Sequence, residues 1–331
     1  MDVSPAGRRG NALQPLRTAL IGAYVLMKYA GHMENLSDMS IWEYLRHGRR
    51  SHWRLPSPPM IPHEKPREPL AWLPTDPSLC GHVDVDGTAK ERLALIEHTR
   101  GIWSDYGEKD PFFSVLTNDE FKMDAITAEG EKKFYQSGAE DAEEFFKACA
   151  RNRISLPWNG TIVDFGCGLG RVGEHLARKF ETYIGVDISP SHLARAKARF
   201  ASVGSRDARF MLLPDYLDQP VPADAYFSII VLQHNPPPII AMMLDKLCVM
   251  LRPGGIGYFQ VPIALFDYEF HLTNYLQAPP SHGAMEMHPL PQHEVFRILH
   301  QNACYPLEVR QEDKVGPIGI SMTFLVRKAA V

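Results

Sequence analysis

The sequence predicts an α/β fold in which a seven-stranded, mostly parallel sheet carries helices on both faces and follows a helical segment. Three observations lead there. After Trp158-Asn159-Gly160, short β-rich runs alternate with helical stripes, the rhythm of parallel strands joined by right-handed crossovers. The first of those runs ends in a glycine-rich turn, "DFGCGLGRVG" (164–173). The last two runs are joined by a short loop containing Gly and Pro, so they should pair antiparallel.

In chain order, residues 1–87 read as an N-terminal extension. Its first 70 residues hold ten Lys/Arg against six Asp/Glu, and 51–79 are Pro-rich. Each Pro fixes φ and removes a backbone donor, so this stretch is expected to be an extended strap. Met39–Arg50 has the pattern of a short helix. Residues 88–153 read as a helical cap; Ala142, Phe145, Phe146 and Cys149 fall on one face, with acids at the start and Arg151 and Arg153 at the end, as the helix dipole favours. Residues 154–331 form the ligand-binding domain. Its strands are "TIVDF" (161–165), "TYIGV" (182–186), "ARFMLL" (208–213), "YFSIIVL" (226–232), "IGYFQVP" (256–262), "YPLEVRQ" (305–311) and "GISMTFLVR" (319–327), with "LRPGG" (251–255) as a turn.

Composition removes several classes. A formal net charge of −4 argues against a nucleic-acid backbone as the main partner. The five cysteines are scattered, with no C-x-x-C or Cys/His spacing, so neither a disulfide framework nor a zinc site is signalled and a reducing, cytoplasmic setting is expected. The apolar run Thr18–Ala30 contains Lys28 and is too short to span a bilayer. The extension is instead a candidate for oligomer or surface contacts.

The glycine turn admits two parses. Gly168, Gly170 and Gly173 fit the G-x-G-x-x-G of a dinucleotide site, whereas Gly166, Gly168 and Gly170 fit the G-x-G-x-G of a methyl-donor site. Asp187 ends the second strand 19 residues beyond Gly168, where an acid commonly accepts hydrogen bonds from ribose hydroxyls of either ligand. Asp164 separates the parses. A carboxylate at the end of the first strand would repel a pyrophosphate, but it suits the sulfonium and ammonium of S-adenosylmethionine (SAM).

The segments "VDFGCGLGR", "IGVDIS", "VLQHNPP" and "LRPGG", in this order and spacing, resemble the class I SAM-dependent methyltransferases, whose sheet is Rossmann-like. "DPFFSVL", "FYQSG" and "HPLPQHEVFRIL" narrow the likeness to a bacterial subgroup with a helical N-terminal cap; it covers residues of about 100–328. The resemblance implies that Gly166, Cys167, Gly168 and Gly170 line the methionine part of SAM with Asp164 near its amino group. By the same likeness Asp187 holds the ribose, Ile188 packs on adenine, Asp215 reaches the adenine amino group, and Gln233 belongs to the cofactor site. The pair Tyr226-Phe227 departs from the family pattern, which has an aromatic residue followed by Asp.

Methyl transfer to a hydroxyl needs alignment and removal of a proton. His234, just past the fourth strand, is the candidate general base; its alternative role is to bond backbone around the prolines that follow. His288, Tyr106, Asp110 and Tyr135 are secondary candidates. The expected activity is methyl transfer to a small-molecule or sugar-like acceptor at oxygen, with nitrogen and carbon open. The competing readings are a nicotinamide-dependent oxidoreductase and a non-catalytic SAM-binding module.

Overall fold

In β1 (Thr161–Phe165), the side chains alternate between two buried layers. Val163 and Phe165 join one apolar cluster and Ile162 the other, the period-two consequence of a strand covered on both faces. Asp164 therefore points to the Ile162 side and is buried with it. The computed structural model describes residues 81–204, 208–279 and 285–330. The extension up to residue 80, with its strap and the Met39–Arg50 helix, lies outside the described residues.

The remaining strands are β2 (Thr182–Asp187), β3 (Ala208–Leu212), β4 (Ala223–Ser228), β5 (Leu251–Leu265), β6 (Cys304–Glu312) and β7 (Gly319–Lys328). They form one seven-stranded sheet in the order β3-β2-β1-β4-β5-β7-β6. β1 to β5 pair parallel, while β7 runs antiparallel to both β5 and β6. Chain order reverses between β1 and β4, so the loops leaving these two strands diverge and open a crevice at their carboxyl ends.

Two expected boundaries shift. The fourth strand starts at Ala223 and stops at Ser228, because Ile230 takes a left-handed φ of 57°. "LRPGG" is not a free turn but a bulge within β5, between the pairings Ala223–Leu251 and Ala225–Ile256. There Asp224 accepts from Thr161 N at 2.8 Å and from Arg252 Nη1 at 2.6 Å, tying the entry of β1 to the bulge.

Among the described residues, three α-helices precede the sheet. In α1 (Ala89–Lys109), Thr88 and Glu91 form a reciprocal capping box that satisfies end donors. The helix buries Leu95, Thr99 and Ile102. α2 (Pro111–Val115) starts on a proline, whose fixed φ and missing donor suit a first helical turn. α3 (Ala128–Arg151) buries Phe134, Phe145 and Cys149.

The crossover helices are α4 (Gly173–Leu176), α5 (Pro190–Ser202), α6 (Leu213–Asp218) and α7 (Pro237–Met250). α8 (Leu272–Gln277) and α9 (Gln292–Gln301) follow β5. α1 lies against α5 and α7, across the carboxyl end of the sheet. Among the described residues no helix is long and apolar enough to cross a membrane.

Candidate active site

The loop after β1 closes on itself through the neighbouring strand: Gly166 N and Cys167 N both donate to Val186 O, at 2.7 and 2.9 Å. Gly166 and Gly168 adopt φ of 79° and 52°, which side chains resist. A Cβ on Gly166 would also overlap the Val231 side chain. Gly168 N donates to Asp187 Oδ2 at 2.8 Å, and Ser189 N to Oδ1 at 2.9 Å, so the acid at the end of β2 braces the turn.

Around this loop lies an open cavity of about 870 Å³ counting the solvent space at its mouth. Asp164, Gly166, Cys167, Gly168, Asp187, Ile188 and His234 all line it. Gly170 does not; its position is filled by Phe200 of α5, whose Cε2 would lie 2.8 Å from an added Cβ. Gly173 opens α4, and a Cβ there would overlap Tyr183 Oη. It is a packing glycine, as the methyl-donor parse requires. Asp215 stands exposed on α6 and is not brought to the cavity, where Leu213 of the same helix lies instead. Gln233 is buried behind His234.

The cap contributes Thr99 and Trp103 from α1 and Ser114 and Val115 from α2. Tyr135 packs instead with Phe112 and Phe134, and Asp110 accepts from Met123 N at 2.7 Å. Arg171 also lines the cavity, which the sequence reading missed. It pairs with Asp141 at 2.6 Å, and its buried Nε has no hydrogen-bond partner among the described residues. The signal was present: Arg171 directly follows the glycine turn.

The electrostatics are unbalanced at one point. Burial pushes the Asp164 carboxyl up to about 7 despite a 2.8 Å hydrogen bond from Tyr183 Oη, and the neighbouring Asp187 adds to the rise. Burial also raises the Cys167 thiol, reinforced by Asp187 and Asp164, so no thiolate nucleophile forms there. A buried carboxyl beside a cavity, with an unsatisfied guanidinium Nε on the same wall, fits a ligand carrying both a cation and a carboxylate.

His234 sits in a short 3-10 turn (Leu232–His234) after the left-handed Ile230. Its Nδ1 is 2.8 Å from Glu286 O, a carbonyl that can only accept, so Nδ1 carries the proton. Nε2 then carries the ring's lone pair and accepts from Gln233 Nε2 at 3.2 Å. Gln260 Nε2 donates in turn to Gln233 Oε1 at 2.8 Å, and its Oε1 accepts from Ile230 N at 2.9 Å. Burial holds the imidazole down to about 4, against the opposing bond to Glu286 O. The ring is neutral and held at both nitrogens. Outside the cavity, His82, Asp84 and His271 gather potential ligand atoms at the surface.

Strand order, the antiparallel β7 and the glycine turn after β1 define a class I SAM-dependent methyltransferase fold. A family model described as "Methyltransferase domain" matches residues 162–255. The chain is 33% identical over 103 residues to the ubiquinone biosynthesis O-methyltransferase of Xylella fastidiosa, a match covering 30% of this chain and 41% of that one. It is 32% identical over 114 residues to the trans-aconitate 2-methyltransferase of Variovorax paradoxus, covering 33% and 41%. The chain thus spans about two-fifths of the length of these curated relatives. Among solved structures, the magnesium protoporphyrin IX methyltransferase of Synechocystis with bound S-adenosylhomocysteine is similar at TM-score 0.50 and 15% identity, covering 70% of this chain and 99% of that one. That likeness concerns the fold alone.

Proposed function

We propose that the chain is a SAM-dependent methyltransferase that methylates a hydroxyl of a small-molecule or sugar-like acceptor, with His234 as general base. The observation that carries this reading is Asp164, a buried carboxyl on the wall of the cavity at the glycine turn. A nicotinamide dinucleotide would set its pyrophosphate against that same group, where like charges repel. The curated relatives, all methyltransferases by name, support the same choice.

When bound, SAM supplies a methyl carbon already activated by its sulfonium. Asp164 lies where it can face the donor's cationic groups, and Arg171 where its Nε can meet the methionine carboxylate. Asp187 has acceptor capacity left for the ribose hydroxyls beyond its two loop bonds. Ile188 and Leu213 offer apolar contact to adenine. His234 Nε2 accepts the acceptor's proton as its oxygen attacks, once the Gln233 amide gives up that lone pair, and Trp103, with its ring 5.2 Å from the imidazole, limits water at that point.

Calorimetry with SAM, S-adenosylhomocysteine and NADH tests the cofactor. The first two should bind at micromolar strength and NADH should not; NADH binding alone would overturn the proposal. Transfer of labelled methyl from SAM across a hydroxyl-bearing metabolite library, with His234→Ala beside wild type, separates an enzyme from a binding module.

A further inference from the structure

Just before α1, residues 81–84 run parallel to 268–271, in the stretch between β5 and α8. Gly81 N donates to Tyr268 O at 2.9 Å, Phe270 N to His82 O at 2.8 Å and Asp84 N to Phe270 O at 2.9 Å, and Val83 bridges to Phe270. Side chains alternate along such extended segments. Val83 and Phe270 turn inward to the apolar core, so the residues flanking them turn outward together. "HVD" (82–84) thereby exposes His82 and leaves Asp84 half-buried, and "EFH" (269–271) sets Glu269 and His271 on the same surface.

One nitrogen each of His82 and His271 and one oxygen of Asp84 lie within 4.8 Å of one another. The two imidazoles stack, with centroids 4.9 Å apart and planes inclined by 18°. Asp84 is held at both oxygens: Oδ2 accepts from Leu272 N at 2.8 Å, and Oδ1 accepts from His82 Nε2 at 2.7 Å. The Leu272 amide, followed by His82, holds the carboxyl below its ordinary range, so it is anionic at neutral pH. Glu269 Oε2, 3.7 Å from His271 Nε2, adds a second negative charge. The three backbone bonds and the Leu272 bond pre-set these groups, which lowers the ordering cost of binding an ion.

We infer that His82, Asp84 and His271 form a zinc site that clips the entry of α1 to the chain between β5 and α8. Two imidazoles and one carboxylate suit Zn2+, whereas Mg2+ and Ca2+ take sets of oxygen ligands. Three protein ligands leave a coordination position for water. His82 Nε2 carries the proton of its bond to Asp84 Oδ1, since a carboxylate only accepts. On metal binding that proton moves to Nδ1, and the freed lone pair takes the ion. Asp84 can ligate through Oδ1 while Oδ2 keeps the Leu272 amide, an outer bond of the kind that orients a ligating carboxylate. No zinc spacing shows in the sequence because His82 and His271 meet only through the pairing of 81–84 with 268–271. The clip lies at the base of the helix whose Thr99 and Trp103 line the cofactor cavity.

The test uses the tag-free full chain, stripped with a chelator and exchanged into chelator-free buffer near neutral pH. It is titrated calorimetrically with zinc chloride and, separately, with magnesium chloride. At least one Zn2+ per chain should bind, and magnesium should not compete for it. His82→Ala and His271→Ala should each weaken one equivalent of bound zinc at least about tenfold. His293→Ala, at an exposed histidine on α9, should leave binding unchanged. Hydrogen exchange locates the site on wild type: peptides covering 81–84 and 268–271 should exchange more slowly, by about tenfold or more, with zinc bound. No zinc binding, binding that both histidine variants leave intact, or magnesium binding of equal strength overturns the site. Zinc bound without slower exchange in those two segments overturns the clip. If a variant does not fold, the exchange pattern of the intact chain decides, and protection confined to other segments refutes the assignment.

Discussion

SAM affinity should depend steeply on pH through Asp164. In the ligand-free protein this carboxyl is held at about 7 by burial. A cationic ligand stabilises the carboxylate, so binding should return it towards its ordinary value of 3.8 and expel a proton. Linkage then fixes the size of the effect. Between pH 7.5 and pH 5 the dissociation constant should rise about 70-fold, equivalent to about 2.5 kcal/mol. At pH 6 about 0.9 proton should leave per SAM bound.

The sign follows from the protonated form dominating below the raised value, where each proton must be removed before the cation can pair. Staying below pH 7.5 keeps the ligand's α-amino group, ordinarily near ~7.7–8.0, mostly charged. Staying above pH 5 keeps His234, held down to about 4, neutral. The assay is calorimetry in two buffers of different ionisation enthalpy, which reads affinity and proton release together. Asp164→Asn should flatten the profile and abolish the release. A dissociation constant that varies by less than about threefold across the window would refute the reasoning. So would a slope that survives in the Asn variant.

Other outcomes follow from the same geometry. His234→Ala should lower kcat by about 10²–10⁴-fold and leave SAM affinity unchanged. Asp164→Asn should raise the melting temperature at pH 8 and not at pH 4, because the raised folded value costs stability above 3.8 and the cost saturates above about 7. By linkage that gain is of the order of a few kcal/mol, on the order of 4 as an upper bound. Gly173→Ala should cost about 1–3 kcal/mol by overpacking, since its Cβ overlaps Tyr183 Oη and would lie 2.9 Å from Asp164 Oδ2; adding Tyr183→Phe should recover part of the loss in denaturant titrations.

Strand and helix identity was legible wherever local pattern and tertiary context agree. β1 reads true at both ends because a β-rich run there is bounded by Asn159-Gly160 and by Gly166. β4 reads wrongly at its carboxyl end for a tertiary reason. "SIIVL" has an unbroken β-rich composition, yet Ile230 turns left-handed and its N–H is taken by the Gln260 side chain from β5. That turn puts His234 beside the cavity, so the strand's early end and the site share one cause. Asp215 shows the converse. It lies two residues after the cavity-lining Leu213, but α6 begins at Leu213, and residues two apart on a helix face different ways. Arg171 and Trp103 needed the fold, because neither motif spacing nor charge tells which side of a loop or helix meets the ligand.

The neutral His234 poses an energetic question, because an imidazole held down to about 4 is a weak base for a hydroxyl proton. The charge balance of the proposed reaction answers it. The ligand-free value describes a ring that must become cationic alone in a buried place. During transfer the donor gives up one positive charge, and the proton arriving at Nε2 restores one a short distance away, so the cavity's net charge does not change. Glu286 O accepts from Nδ1 in both protonation states. The low value then has a use. It keeps His234 uncharged while a cationic donor binds, where a protonated ring would oppose it. A variant that raised His234 basicity in the free protein, by opening the site to water, is therefore expected to weaken SAM binding near neutral pH while broadening the acid limb of kcat. Calorimetry and a pH–rate profile on Trp103→Ala would measure both; tighter SAM binding in that variant would contradict the charge argument.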